Sequence, residues 1–173
     1  KASFVRLSGQ PDIQTVNARG RTEFSIGLRA PDPLKYEWYE GHELGYREVT
    51  IAGEDSGTAG SGTGTVTNTG NAYSPVVFEV TGPVVGPATI LNETTNESIT
   101  IIGELEAGDI LEIDTRDHEV ALNGDVVGKR SLIDVLAEWT LLAPGANVFS
   151  FYDEGDATSS ASLVVYYRSA WLG

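Results

Sequence analysis

Short runs of alternating apolar and polar residues recur along the chain, interrupted by Gly, Asn, Asp and Pro. This period of two predicts β-strands rather than helices. Strands are expected at Phe4–Leu7, Glu23–Arg29, Glu48–Ile51, Gly64–Asn68, Val76–Thr81, Ala88–Leu91, Ser98–Ile102, Ile110–Asp114, Glu119–Leu122, Asn147–Tyr152 and Ser162–Arg168. Only Ser131 to Trp139 offers a capping Ser ahead of apolar residues at helical spacing, which predicts a helix of at most two turns. Many short strands with short connections predict an all-β fold: antiparallel sheets in a sandwich or barrel.

The densest cluster of candidate chemistry is Glu112 to Gly124, "EIDTRDHEVALNG", with four acids, a histidine and an arginine. Ile110, Glu112 and Asp114 alternate with Leu111 and Ile113, and Val120 and Leu122 share one face of the following run. Thr115 to His118 therefore falls on a turn between two half-buried strands. Asn123-Gly124 is a hairpin signal that opens the next turn. Acid–base catalysis needs two carboxylates facing one cleft with pKa values pushed apart. Asp114 and Asp117 share a solvated tip instead, so the cluster reads as a turn.

Two composition shifts divide the chain. Pro31 and Pro33, beside a dense aromatic patch, stop the preceding strand because proline cannot sit in a central strand. Residues 52–66 are rich in Gly, Ser and Thr and read as a flexible loop. The expected organisation is residues 1–39 as the remnant of one domain and residues 40–173 as a β-sandwich domain. The first piece is too short to bury a core of its own. With Lys at position 1 and no Met anywhere, the sequence reads as a piece of a longer or processed chain.

Charge and missing residue types narrow the function. The formal charge of −14 opposes nucleic-acid binding, which depends on Lys and Arg neutralising phosphates. Without Cys there is no disulfide framework, thiolate metal site or cysteine nucleophile. No run approaches the roughly 20 apolar residues of a membrane span, and the first residues lack the apolar middle of a signal peptide.

The remaining motifs are modest. A calcium site could draw on Asp114, Asp117 or the loop Asp153 to Asp156, although neither loop has the acid spacing of a helical calcium loop. His42 and His118, the two histidines, sit in acidic loop-like settings and read as solvated. "GSGTGT" is followed by a β-branched run, not the helix that a phosphate-cradling loop requires. No Gly-x-Ser-x-Gly elbow anchors a hydrolase triad. Asn92-Glu93-Thr94 and Asn96-Glu97-Ser98 match the glycosylation pattern but read as turn residues. Trp38, Tyr39, Tyr46, Trp139, Tyr152 and Trp171 could stack on sugar rings if several met on one concave face. Trp139, Tyr152 and Trp171 are the candidate carbohydrate or partner contacts. No cofactor is implied, and no catalytic or metal-ligating residue is assigned.

The order of motifs carries a resemblance. "FSIGLRAPDPLKY" (Phe24 to Tyr36) resembles the strand and exit closing the first domain of siphophage distal tail proteins. "GTVTNTGNAYSPVVFEVTGPV" (Gly64 to Val84) resembles the start of that family's second domain, and "GDILEIDTRDHEVALNG", "WTLLAPGANVFSF" and "ASLVVYYRSAWLG" follow in the family's order. The resemblance runs from Phe24 to the C-terminus. It implies a structural, non-enzymatic virion component at the tail tip. In that family a six-fold ring joins the tail tube to the tip or baseplate, and the second domain projects outward as a jelly-roll similar to galectins and carbohydrate-binding modules. The implied partners are copies of the chain, tail-tube and tail-tip hub proteins, and accessory proteins; no membrane is among them. The alternative is a carbohydrate-binding module for host cell-wall polysaccharide. A glycosidase would require paired carboxylates in one cleft.

Overall fold

The structure, a computed structural model, describes residues 6–7, 12–16, 21–26, 28–29, 32–41, 45–52, 54–55, 62–153 and 161–173. The first strands are β1 (Arg6–Leu7), β2 (Asp12–Val16), β3 (Arg21–Ser25) and β4 (Leu28–Arg29). β2 and β3 pair with each other, and β1 pairs with β4. Asp12–Val16 is therefore a strand that the sequence pattern missed. The strand expected at Glu23–Arg29 is instead two pieces with different partners.

Next come β5 (Lys35–Tyr36), β6 (Arg47–Ala52), β7 (Glu54–Asp55), β8 (Thr63–Asn68), β9 (Val76–Thr81) and β10 (Ala88–Asn92). They are followed by β11 (Glu97–Ile101), β12 (Ile110–Asp114), β13 (Glu119–Leu122), β14 (Gly145–Asp153), β15 (Ser162–Tyr167) and β16 (Ala170–Trp171). One sheet runs β13-β12-β9-β15-β6. The second runs β11-β10-β14, with β8 and β7 along the other side of β14. All pairs are antiparallel except β14 with β7, which is parallel. The all-β antiparallel sandwich expected from the alternation is the fold.

Alternation sets which side chains enter the core. Val76, Phe78 and Val80 of β9, Leu111 and Ile113 of β12, and Leu163 and Val165 of β15 are buried from one sheet. Ile90, Ile99, Ile101, Phe149 and Phe151 meet them from the other. Phe78 and Phe149 join the layers edge to face, with ring centroids 5.5 Å apart. Such a contact adds about 1 kcal/mol to the burial of the rings.

Two expectations need correction. Residues 52–66 are not one loop: Ala52 ends β6, Glu54–Asp55 pairs with β14, and Thr63–Val66 lies in β8. Glycine content misled here because Gly64 is a packing residue. A Cβ at Gly64 would lie 2.7 Å from Ile51 Cγ1, so the Ile51 side chain occupies that space.

The predicted helix at Ser131 to Trp139 is also absent. A 3-10 turn at Lys129–Leu132 gives way to an extended Ile133 and then a turn at Val135 and Leu136, along the free edge of β11. There the Asp134 and Glu138 amides donate to the Thr100 and Ser98 carbonyls, and Ile133 bridges to Ile101. Ile133 is buried while Leu136 is 82% exposed, which breaks the helical face. Covering a sheet edge satisfies backbone groups that a short, marginal helix would leave unpaired.

Candidate functional site

The Thr115 to His118 turn is built by its own side chains. Asp114 Oδ1 accepts from the amides of Arg116 and Asp117, at 2.7 and 3.2 Å. Thr115 is buried, and its hydroxyl oxygen accepts from the Val76 amide. His118 takes a φ of 55°, within the left-handed region that turns use. The Asp114 carboxylate is thus engaged in forming the turn. Among the described residues, no three His, Asp or Glu side chains come together to hold a metal ion. His42 and Glu154 to Asp156 lie outside the described residues.

The turn also aims two side chains. The His118 ring stacks on Trp139, with centroids 4.6 Å apart and planes 12° apart, and the Arg130 guanidinium lies 5.1 Å from the Trp139 ring. Arg116 reaches back in sequence to Asp32 Oδ2, at 2.8 Å.

Asp32 is one end of an arginine–tyrosine clamp. Its carboxylate accepts from the Leu34 amide, the Tyr36 hydroxyl and Arg116. Tyr36 is 2% exposed, and the guanidiniums of Arg168 and Arg116 lie 5.1 and 5.7 Å from its ring centroid. Burial, followed by the hydrogen bond to Asp32, pushes the Tyr36 phenol up to about 12. Arg168 is buried, lies 4.2 Å from the Tyr46 ring centroid and donates to its hydroxyl at 3.1 Å. Beside it, Arg47 makes a two-pronged contact with Glu37, at 2.9 and 3.2 Å, and lies over Tyr39. That contact holds the Glu37 carboxyl below the usual carboxylate range.

Backbone pairing reinforces the clamp. β5 pairs with β16, and the Glu37 amide donates to the Ser169 carbonyl. Residues 35–37 are therefore joined to the sandwich, ahead of the boundary expected after Tyr39. Asn68, buried at the end of β8, donates to the Ala72 and Leu142 carbonyls and accepts from the Gly70 and Ala170 amides. One amide side chain thereby locks the neighbourhood of β16.

The candidate contacts Trp139, Tyr152 and Trp171 do not come together. Tyr152 is next to the Asp153–Ala88 pair, at the end of the sandwich where β9 hands over to β10. Trp139 lies against the β12–β13 turn at the opposite end. Trp171 pairs with Lys35, beyond β15, and β9 and β12 separate β15 from β13. Asp32 and Tyr36 were not assigned a role from the sequence; Arg116 was noticed only as part of the acidic turn, and Arg168 only as the end of the last long apolar run.

With this geometry in hand, the relationship to known proteins is direct. The family described as siphovirus-type tail component, C-terminal domain, matches residues 69–171, more than half of the chain. The chain belongs to that family. This tail component is accordingly a structural part of the virion tail. Its fold is similar to the crystal structure of SPP1 Dit (gp 19.1), described as a paradigm of the hub adsorption apparatus in Gram-positive-infecting phages. The TM-score is 0.61 at 15% identity, covering 98% of this chain and 60% of that one. The tail component thus spans about 60% of that protein's length. No curated protein matches it in sequence.

Proposed function

We propose that this tail component acts at the tail tip as a distal tail protein. A six-fold ring of copies would connect the tail tube to the tip, and the sandwich would project outward to meet hub and accessory proteins. The observation that carries this reading is the alignment of 98% of the chain with a hub adsorption protein, alongside its family membership. The clamp suits the role, because a projecting domain needs a fixed exit angle and Asp32–Tyr36 is held on the sandwich by Arg116 and Arg168. The reading is non-catalytic, consistent with an Asp114 carboxylate already engaged by backbone amides.

Native mass spectrometry and electron microscopy of the complete protein, alone and with its tail-tube partner, test this reading. A six-fold ring with a central hole is expected in at least one preparation. A monomer in both would overturn the ring.

A further inference from the structure

β9 runs from the clamp to the far end of the sandwich. Val76, at its start, faces Tyr167, and its carbonyl accepts from the Thr115 amide; Thr81, at its end, faces Ile110 and Ser162. The two ends are about 16 Å apart at roughly 3.3 Å per residue. Residues 82–87, 102–109 and 123–129 lie at the far end, and hydrogen bonds tie them together. Val84 and Leu105 exchange amide-to-carbonyl bonds, and the Gly82 amide donates to the Asp109 carbonyl. The Asn123 amide donates to the Ile110 carbonyl, and Asn123 Oδ1 accepts from the Ile110 amide. The Ile102 amide donates to the Leu132 carbonyl, in the 3-10 turn that follows Val127.

This end is unusually apolar for a set of loops. Val85, Ile102, Ile110, Val126 and Val127 are between 41 and 79% exposed. Single exposed aliphatics are ordinary, but five on segments bonded to one another mark an interaction surface. They are held outward: Asp125 Oδ1 fixes the Val127 amide at 3.0 Å, and the buried, doubly bonded Val84 fixes its neighbour Val85. Acids share these loops. Glu104, Glu106, Asp109 and Asp125 lie there with one cation, Lys129, which is paired with Asp125 at 3.4 Å. The Asn123 side chain and the Glu106 amide hold the Asp109 carboxyl below the usual carboxylate range, and the Val127 amide and Lys129 do the same for Asp125.

Charge decides what can cover this end. A second copy would set the same four carboxylates against each other, and an anionic lipid surface or a nucleic acid would be repelled likewise. An apolar surface edged by Lys and Arg would instead bury the aliphatics and pair with the acids. We propose that the far end of the sandwich docks an accessory tail protein through an apolar patch edged by Lys and Arg. The choice of partner rests on the tail-tip reading: this end points away from the neck formed by β5 and β16, and so away from the ring.

Biolayer interferometry on the complete protein tests the docking, with each accessory tail-tip protein of the same virion as probe, purified singly, at low and high salt. One of them should bind with a micromolar Kd. Val85→Asp and Val127→Asp should each weaken it about tenfold. Glu104→Lys combined with Glu106→Lys should weaken it about tenfold and flatten its salt dependence. Leu136→Ser, beside the β11 edge, should leave the Kd unchanged. All these side chains are exposed, and circular dichroism should show every variant folded.

The inference is overturned if no accessory protein binds or if binding survives the valine and glutamate variants. It is equally overturned if Val127→Asp acts instead by abolishing self-association or binding to phosphatidylglycerol vesicles. Native mass spectrometry of the same variants separates this inference from the ring. An intact six-fold ring that docks nothing removes the inference alone, and a monomer that still docks removes the ring alone.

Discussion

Arg168 lies 4.2 Å from the centre of the Tyr46 ring and donates a hydrogen bond to the same residue's hydroxyl, although 122 positions separate the two in sequence. One buried cation therefore ties the segment leading into β6 to the last residues of the sandwich. Replacing Arg168 by Ala should lower the unfolding free energy by about 2 kcal/mol, from the lost stack and charged hydrogen bond. Arg168→Lys keeps the charge without the planar fork and should recover less than half of that. Urea unfolding measures both. A change within about 0.5 kcal/mol for Arg168→Ala would show that the clamp adds little.

Tyr36 gives the clamp a signature at high pH. Its phenol stays protonated to about 12 because it is buried and hydrogen-bonded to Asp32. The raised value means that its contribution to stability is fully present below its unfolded value near 10 and is lost as pH rises through about 12. Ultraviolet titration should show a late tyrosine step that Tyr36→Phe removes, at a cost of about 1 kcal/mol in stability. An unchanged late step in Tyr36→Phe would assign it to another tyrosine.

The outer face of the first sheet predicts the opposite use of charge. Glu112 stands directly across from Glu79, and Asp114 across from Glu119. Partial burial first, then Asp114, Glu79 and Glu119, raise the Glu112 carboxyl. Its stabilising contribution is therefore present below the unfolded value and is lost as pH rises through the folded one. Glu112→Gln should stabilise the protein by about 0.5 kcal/mol near neutral pH, with solvent screening keeping the gain small. Melting curves should show the gain vanish below about pH 4 and shrink in high salt. Equal gain at all pH values would remove the charge explanation.

Gly70 and Gly108 should respond differently to alanine. A Cβ at Gly70 would sit 1.7 Å from the Ala170 carbonyl oxygen, so backbone must move, and Gly70→Ala should cost about 3 kcal/mol or more. Gly108 has a φ of +89° but nothing near its missing Cβ, so Gly108→Ala should cost only about 1–2 kcal/mol of backbone strain. Paired unfolding measurements would check the order; equal costs would contradict the close approach at Gly70.

What the sequence made legible was local. The alternation in Val76–Thr81, Ile110–Asp114 and Glu119–Leu122 marked those strands with their observed limits. Asn123-Gly124 has the two positive φ values, 51° and 79°, that its residue types favour. Partners distant in sequence left no such mark. Asp32 and Arg116 are 84 positions apart, and neither lies in a pattern that names the other. The stack of His118 on Trp139 was hidden likewise: each residue had been noticed for a separate reason. At 131–139 the local pattern misled, because hydrogen-bonding opportunity along β11 outweighed a weak helical preference.

The pairing of β5 with β16 also has a mechanical consequence. Lys35 faces Trp171 and Tyr36 faces Ala170, so the chain comes in and returns side by side. A pull separating these two strands would load their pairs one after another, like a zipper, before tension reached the Phe78–Phe149 contact. The sandwich hangs as a loop gathered at its neck. Arg168 and Tyr36 are the stitches that would have to give before the body of the domain felt the strain.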